Sequence, residues 1–322
     1  MKRKQLAPHI HADRPIVERY AYVLLALLPI LIGALFYYGI RVLVLSFVSC
    51  GVFFLCDYLS SKNMYPEMPF HVDYSSLVSG LILAMLVPVS TSVWAMAIAA
   101  AFGSLLVKQA LGGVGRNLFN PALAARAFLQ IAFPMQMVAQ EPPLENFWGF
   151  SSLFTGKAIV SNGAITQVNV DILDIVSGRV IGMVGTTSLI LIALGAVIMI
   201  ERKLFSIYAP AAFFAVILIG YVPFNWAGAG FEEFLIWMIR GGILFVGVFA
   251  LQDCTTLPMD KWARCLFGGG AGLLTLILYR FGNASYAMIY PVLLMNILTP
   301  VFDYYIRPRA FSKTSWFREV EK

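Results

Sequence analysis

Apolar residues in this chain fall into long, nearly unbroken runs rather than alternating along strands or forming one stripe per helix. The runs cover residues 20–39, 42–60, 77–91, 92–108, 119–137, 184–200, 204–222, 235–252, 264–280 and 285–302. A membrane-crossing helix needs about 20 predominantly apolar residues. The pattern therefore predicts an all-α integral membrane protein with about ten transmembrane helices. The stretch before the first run carries Asp13, Arg14, Glu18 and Arg19, and no small-residue cleavage site follows the run. A cleaved signal peptide is not expected, and the N-terminus is expected to be retained.

Composition agrees with the pattern. Of the 322 residues, 60% are hydrophobic and 12% are charged, against about 25% charged in a soluble domain. An aromatic content of 14% argues against disorder, and four cysteines are too few for a disulfide scaffold. A net charge of +6 raises the question of nucleic acid, but the positions of the basic residues give a different answer. With the N-terminus inside and the runs alternating, 17 basic residues face the cytoplasm, and four (Arg41, Lys157, Arg179 and Arg280) face out. This is the positive-inside pattern. The expected partner surface is the lipid bilayer of a prokaryotic plasma membrane, with both termini cytoplasmic and no nucleic acid.

Ten spans divide into two sets of five, and an odd number per set gives the halves opposite orientations, as in inverted-repeat transporters. The expected organisation is a cytoplasmic tail (1–19), a first repeat (20–137), an outer segment (138–183), a second repeat (184–306) and a cytoplasmic tail (307–322). Residues 79–94 (SGLILAMLVPVSTSVW) of the third run can be laid beside 241–262 of the eighth. Pro88 interrupts one of these segments. Asp253, Thr255, Thr256 and Pro258 interrupt the other. Paired broken spans point to a site at membrane depth; the alternative is that Pro88 only ends an ordinary helix near the interface.

Four groups of residues carry candidate chemistry. In KQALGGVGRNLFNPALAARAF (108–128), Gly112, Gly113 and Gly115 allow close backbone approach, with Arg116, Asn117 and Asn120 beside them. Exposed amides there could hold an anion or the edge of an isoalloxazine ring, although a plain tight turn reads equally well. Charges within or near the spans are Asp57, Arg126, Arg240, Asp253 and Asp303. Charge at depth is costly and marks a pathway or a pair. Asp57 and Asp303 lie at span ends and are expected to be interfacial. Arg126 and Arg240 lie deeper, and Asp253 is the first choice for a functional carboxylate. The hydroxyls of Ser152, Thr155, Thr186 and Thr187 have no neighbouring histidine to act as a base. Cys50, Cys56, Cys254 and Cys265 lack metal-ligand spacing, and His9, His11 and His71 lie outside the runs, so no metal site is expected.

Together the motifs carry a resemblance. SSLVSGLILAMLVPVS (75–90), the K-Q-x-x-G-G-x-G-x-N-x-F-N-P-A string from Lys108, VGTTSLILIALG (184–195), LPMDKWARCLFGGGAGLLTLILY (257–279) and VLLMNILTPVFDYYIRPR (292–309) occur in order. The chain resembles the NqrB/RnfD family, whose members are membrane subunits of the sodium-pumping NADH:quinone reductases and of the Rnf ion-translocating oxidoreductases. The resemblance implies a membrane subunit, without stand-alone activity or catalytic residues of its own, in a complex that couples ferredoxin/NAD-type electron transfer to Na⁺ or H⁺ translocation. Its partners would be the other subunits of that complex.

The resemblance also implies FMN, joined through a phosphoester to a Thr of an outer [Ser/Thr]-Gly-Ala-Thr motif, with riboflavin as another candidate cofactor. The Ser-Gly-Ala-Thr string itself is missing. SSLFTGKA (151–158) takes its place, with Ser152 and Thr155 keeping the Ser-x-x-Thr spacing, so Thr155 is the candidate anchor. Gly112, Gly113, Arg116, Asn120 and Arg126 are the further cofactor-binding candidates, and Asp253 and Arg240 the ion-pathway candidates. A flavin-free transporter or channel, or a flavin-lost structural subunit of the same complex, would share the same fold.

Overall fold

The computed structural model describes residues 16–64, 74–138, 182–186, 188–202, 204, 206–224, 237–239, 241–281 and 287–306. Residues 1–15 of the N-terminal tail, the C-terminal tail, nearly all of the outer segment with Ser152 and Thr155, the three histidines, Thr187 and Arg240 lie outside these residues. All regular structure among the described residues is helical. The helices are α1 (Ile16–Tyr38), α2 (Arg41–Met64), α3 (Ser75–Met85), α4 (Val93–Phe102), α5 (Pro121–Ala132), a short α6 (Pro134–Val138), α7 (Leu189–Glu201), α8 (Tyr208–Phe224), α9 (Ile243–Phe245), α10 (Lys261–Phe281) and α11 (Tyr290–Tyr305). Two of them continue as π-helix: α4 through Gly103–Gln109 and α9 through Val246–Ala250.

Segments of α1, α2 and α10 are long and apolar enough to cross a membrane by length and composition. The outward-facing side chains fit that medium. Phe47 is 81% exposed, Ile219 73% and Phe281 78%. Such apolar surface is stable only when lipid or another protein covers it.

Helices approach closely where glycine leaves room. A Cβ on Gly268 of α10 would overlap the Ala209 carbonyl oxygen of α8, and one on Gly272 would lie 2.7 Å from that of Phe213. Gly80 of α3 lies against the backbone of Cys50 in α2, and the Ser49 hydroxyl donates to the Gly80 carbonyl at 2.8 Å. Small residues at crossings are how apolar helices associate when water supplies no drive between them.

The two broken segments have distinct geometry. α3 stops after 11 residues, because Pro88 disfavours helical backbone at Val87 and carries no amide hydrogen. Leu86 and Val87 are fully buried by surrounding protein. The freed carbonyls find protein donors. Arg41 donates from Nε to Val89 O at 2.5 Å and from Nη2 to Thr91 O at 3.0 Å. The backbone amides of Gly185 and Val184 reach Met85 O and Val87 O at 2.8 and 3.1 Å. Irregular backbone persists at membrane depth only when satisfied in this way.

The second broken segment, Ile243–Ala250, is followed by non-helical backbone held by side chains. Asn120 Nδ2 donates to Ala250 O at 3.1 Å, Gln252 exchanges hydrogen bonds with the Ser206 backbone, Arg264 Nε donates to Pro258 O at 2.8 Å, and Thr299 Oγ1 to Thr256 O at 3.0 Å.

Candidate functional site

The Gly-rich turn follows the π-helical end of α4. Gly112, Gly113 and Gly115 have φ of 107°, 89° and 86°, values that side chains rarely adopt. Three such residues reverse the chain within a few positions. The Gly113 amide donates to Lys108 O at 3.0 Å. The chain then enters α5 at Asn120, whose Oδ1 caps the helix by accepting from the Ala122 and Leu123 amides at 3.0 and 3.4 Å. Pro121 follows in the first turn, where its missing amide hydrogen costs nothing.

Where this turn meets the backbone after Ala250, the structure forms a cavity that opens to solvent. It lies between the starts of α1, α3 and α5, the end of α7 and the segment 249–255. Val78, Ile82, Val114, Met199, Leu204 and Phe249 supply apolar walls. Ser79, Asn117, Asp253 and Thr255 supply polar groups, with the cations of Arg19 and Lys108 at the edge. Apolar faces with a few convergent polar groups suit a planar heteroaromatic ligand with a polar rim, so the residues present fit a flavin ring.

Asp253, the candidate carboxylate, lines this cavity. It accepts from the Thr255 amide at 3.3 Å and the Thr255 hydroxyl at 3.0 Å. Thr255 Oγ1 in turn accepts from Asn117 Nδ2 at 3.0 Å. This run of hydrogen bonds joins the Gly-rich turn to the second broken segment. Sequence reasoning puts Asn117 beside the expected site but not among its ligands. Its separation of 138 positions from Thr255 leaves no local signal of the contact.

Most of the other candidates stand apart from the cavity wall or are committed elsewhere. Gly112, Gly113 and Arg116 do not line it, although Val114 between them does. Arg116 is exposed and crosses Gly112, where a Cβ would come within 2.9 Å of its Cδ. Asn120 lines the cavity, but its amide is committed to capping α5 and to Ala250 O. Arg126 is fully buried and does not line the cavity; its Nε donates to Leu86 O at 2.7 Å and its Nη1 to Gln130 Oε1 at 2.8 Å. Thr186 is buried and bonds the Met183 backbone at 3.1 and 3.2 Å, a local structural role.

Asp57 is buried by protein rather than solvated: it is 3% exposed and forms an ion pair with Lys108. Ser76 also donates to its carboxylate, as do Ser104 Oγ at 2.6 Å and Gln109 Nε2 at 2.8 Å. Lys108 bonds Ser75 Oγ and Ser76 Oγ at 2.7 and 3.0 Å. A carboxylate near the end of its helix looks solvated in sequence, but α3 and the π-helical turn fold over it. Because Lys108 also borders the cavity, this network fixes a positive charge at the cavity wall. Asp303, by contrast, lies in a partly exposed setting and accepts from the Met259 amide at 2.9 Å.

Comparison with known proteins places these features in a family. Residues 4–312 match the NQR2, RnfD, RnfE family. The chain is similar to the D-type subunit of the Na(+)-translocating ferredoxin:NAD(+) oxidoreductase complex of Acetobacterium woodii, with 27% identity covering 98% of this chain and 96% of that protein. It is also similar to the D-type subunit of the proton-translocating ferredoxin:NAD(+) oxidoreductase complex of Clostridium ljungdahlii, at 27% identity over 95% of this chain and 94% of the relative. The corresponding subunit of the ion-translocating oxidoreductase complex of Halorhodospira halophila is 30% identical over 75% of this chain and 76% of its own length. The match spans nearly the whole chain, which therefore belongs to the NQR2, RnfD, RnfE family.

Proposed function

We propose that this protein is a multi-pass subunit of a prokaryotic membrane complex that couples ferredoxin/NAD-type electron transfer to movement of Na⁺ or H⁺, and that it holds a flavin as a redox relay. The relatives' names describe such complexes, one Na⁺- and one proton-translocating, and membership of the family supports the same role here. Ten spans in a 5+5 inverted repeat, with both termini cytoplasmic, are part of this reading. The support is that the two broken segments, Ser75–Met85 and Ile243–Ala250, are both short helices followed by backbone that side chains hold.

The observation that carries the flavin assignment is the cavity between the Gly-rich turn and the backbone at Asp253. A bound flavin would supply the electron transfer. The chain's own residues would set its surroundings: Phe249, Ile82 and Val78 exclude water from the ring, Asn117 and Thr255 hold the polar rim together, and Lys108 and Asp253 place opposite charges on the walls. Thr155 is the proposed anchor for a covalent FMN on the outer side.

The two sites separate experimentally. A denaturing gel of the complex, made together with its flavin transferase, should show flavin fluorescence in this subunit that Thr155→Val abolishes. Acid extraction should release a second, noncovalent flavin that Asn117→Leu lowers severalfold. A subunit without either flavin that still co-purifies with its partners would be the flavin-lost structural subunit. Solute flux through the isolated, flavin-free subunit would make it a transporter.

A further inference from the structure

The Lys108 ammonium has three protons to donate, and three oxygens receive them: Asp57 Oδ2, Ser75 Oγ at 2.7 Å and Ser76 Oγ at 3.0 Å. None is left for the cavity. Behind it the Asp57 carboxylate is closed off by Ser76, by Ser104 Oγ at 2.6 Å and by Gln109 Nε2 at 2.8 Å. Ser76 gives its own proton to Asp57, so it too is committed. Ser75 differs. Its oxygen accepts from Lys108, while its hydroxyl proton goes to no acceptor among the described residues. It is 4% exposed, and of the members of this network only Ser75 and Lys108 line the cavity.

We propose that Ser75 is the hydrogen-bond donor that this wall presents to a flavin in the cavity, and that Lys108, fixed by Asp57, makes it prefer the reduced flavin. The proposal deepens the flavin reading and rests on it. An ammonium that donates to a hydroxyl polarises it, so the hydroxyl's own proton binds an anionic acceptor more strongly than a neutral one. Two electrons from the complex's ferredoxin or nicotinamide donor, with one proton from water, leave one added negative charge on a flavin ring. Protein groups beside the ring set its redox balance. Ser75 also opens α3, and the positive end of that helix dipole favours the same charge. Arg19 and Asp253 line the cavity as well, so the preference comes from this one contact and not from the net charge of the walls. Ser75 touches the flavin, whereas Lys108 and Asp57 act through it as positioning residues. A contact that is stronger in one state shifts the balance by the ratio of its two affinities, about tenfold for a hydrogen bond to a charged acceptor.

The test is the ratio of reduced to oxidised flavin in the whole purified complex, poised with dithionite and a redox dye at the parent's midpoint. It is read on the part of the flavin absorbance that Ser79→Trp removes. Ser75→Ala, and the charge-neutral pair Asp57→Asn with Lys108→Met, should each keep the flavin and lower the ratio about tenfold. Ser75→Thr restores the hydroxyl and should match the parent. If the neutral pair fails to assemble, Ser75→Ala decides, because it leaves the ion pair intact. An assembled Ser75→Ala complex with the parent's ratio overturns the proposal, as does a neutral pair that assembles with that ratio. Loss of the flavin from Ser75→Ala overturns it too, since Ser75 would then hold both oxidation states alike. If Ser79→Trp leaves all the flavin in place, the cavity reading itself falls, whatever Ser75→Ala does, and the proposal falls with it.

Discussion

The residue that departs most from what the chain suggests is Asp57. Its carboxylate receives Lys108, Ser76, Ser104 and Gln109 in a buried setting. A buried ion pair adds little compared with apolar packing, but removing one partner leaves the other charge uncompensated at a cost of about 3–5 kcal/mol. Lys108→Met should therefore lower the thermal midpoint of the complex sharply, and adding Asp57→Leu should recover most of the loss. If the double variant is no better than the single one, the pair is not the source of the effect. The network is not legible in sequence because its members come from three separate stretches, and nothing local to Asp57 announces them. Asp253 is legible, since a carboxylate beside Thr and Pro in an otherwise apolar run has few bland explanations. Its link to Asn117 through Thr255 is not.

Among the elements, glycine marks what sequence shows well and what it hides. The Gly-Gly-x-Gly turn announces itself, and the positive φ of all three glycines explains its composition. Gly113→Ala, with room for a Cβ but at φ 89°, should cost about 1–2 kcal/mol through backbone strain alone. Differential scanning of the purified complex would register this as a shift without loss of assembly. The glycines of α10 act differently. A Cβ on Gly268 would overlap the Ala209 carbonyl, so Gly268→Ala should part α8 from α10 and reduce the yield of assembled protein more than Gly113→Ala does. Equal effects of the two would refute the close crossing. The small-residue run can be read as a helix contact, but not which helix it meets. The π-helical stretches at Gly103–Gln109 and Val246–Ala250 have no sequence signature in the apolar pattern, because one extra residue per turn leaves hydrophobicity unchanged.

At the scale of the molecule, composition and basic-residue placement establish membrane protein character, and the ordered motifs bring the chain to its family. The cavity belongs to neither source. It arises because two broken segments, far apart in sequence, come together beside one Gly-rich turn. The account's central claim is that this cavity holds a noncovalent flavin, and filling it tests that claim most directly. Ser79 lines the cavity from α3, and Ser79→Trp would place an indole where the ring is proposed to lie. The measurement is acid-extractable flavin per assembled complex, for the parent, Ser79→Trp and Thr155→Val. The account predicts that Ser79→Trp loses about one equivalent of extractable flavin while any covalent flavin fluorescence of the subunit persists, and that Thr155→Val does the reverse. Unchanged extractable flavin in an assembled Ser79→Trp complex would contradict it.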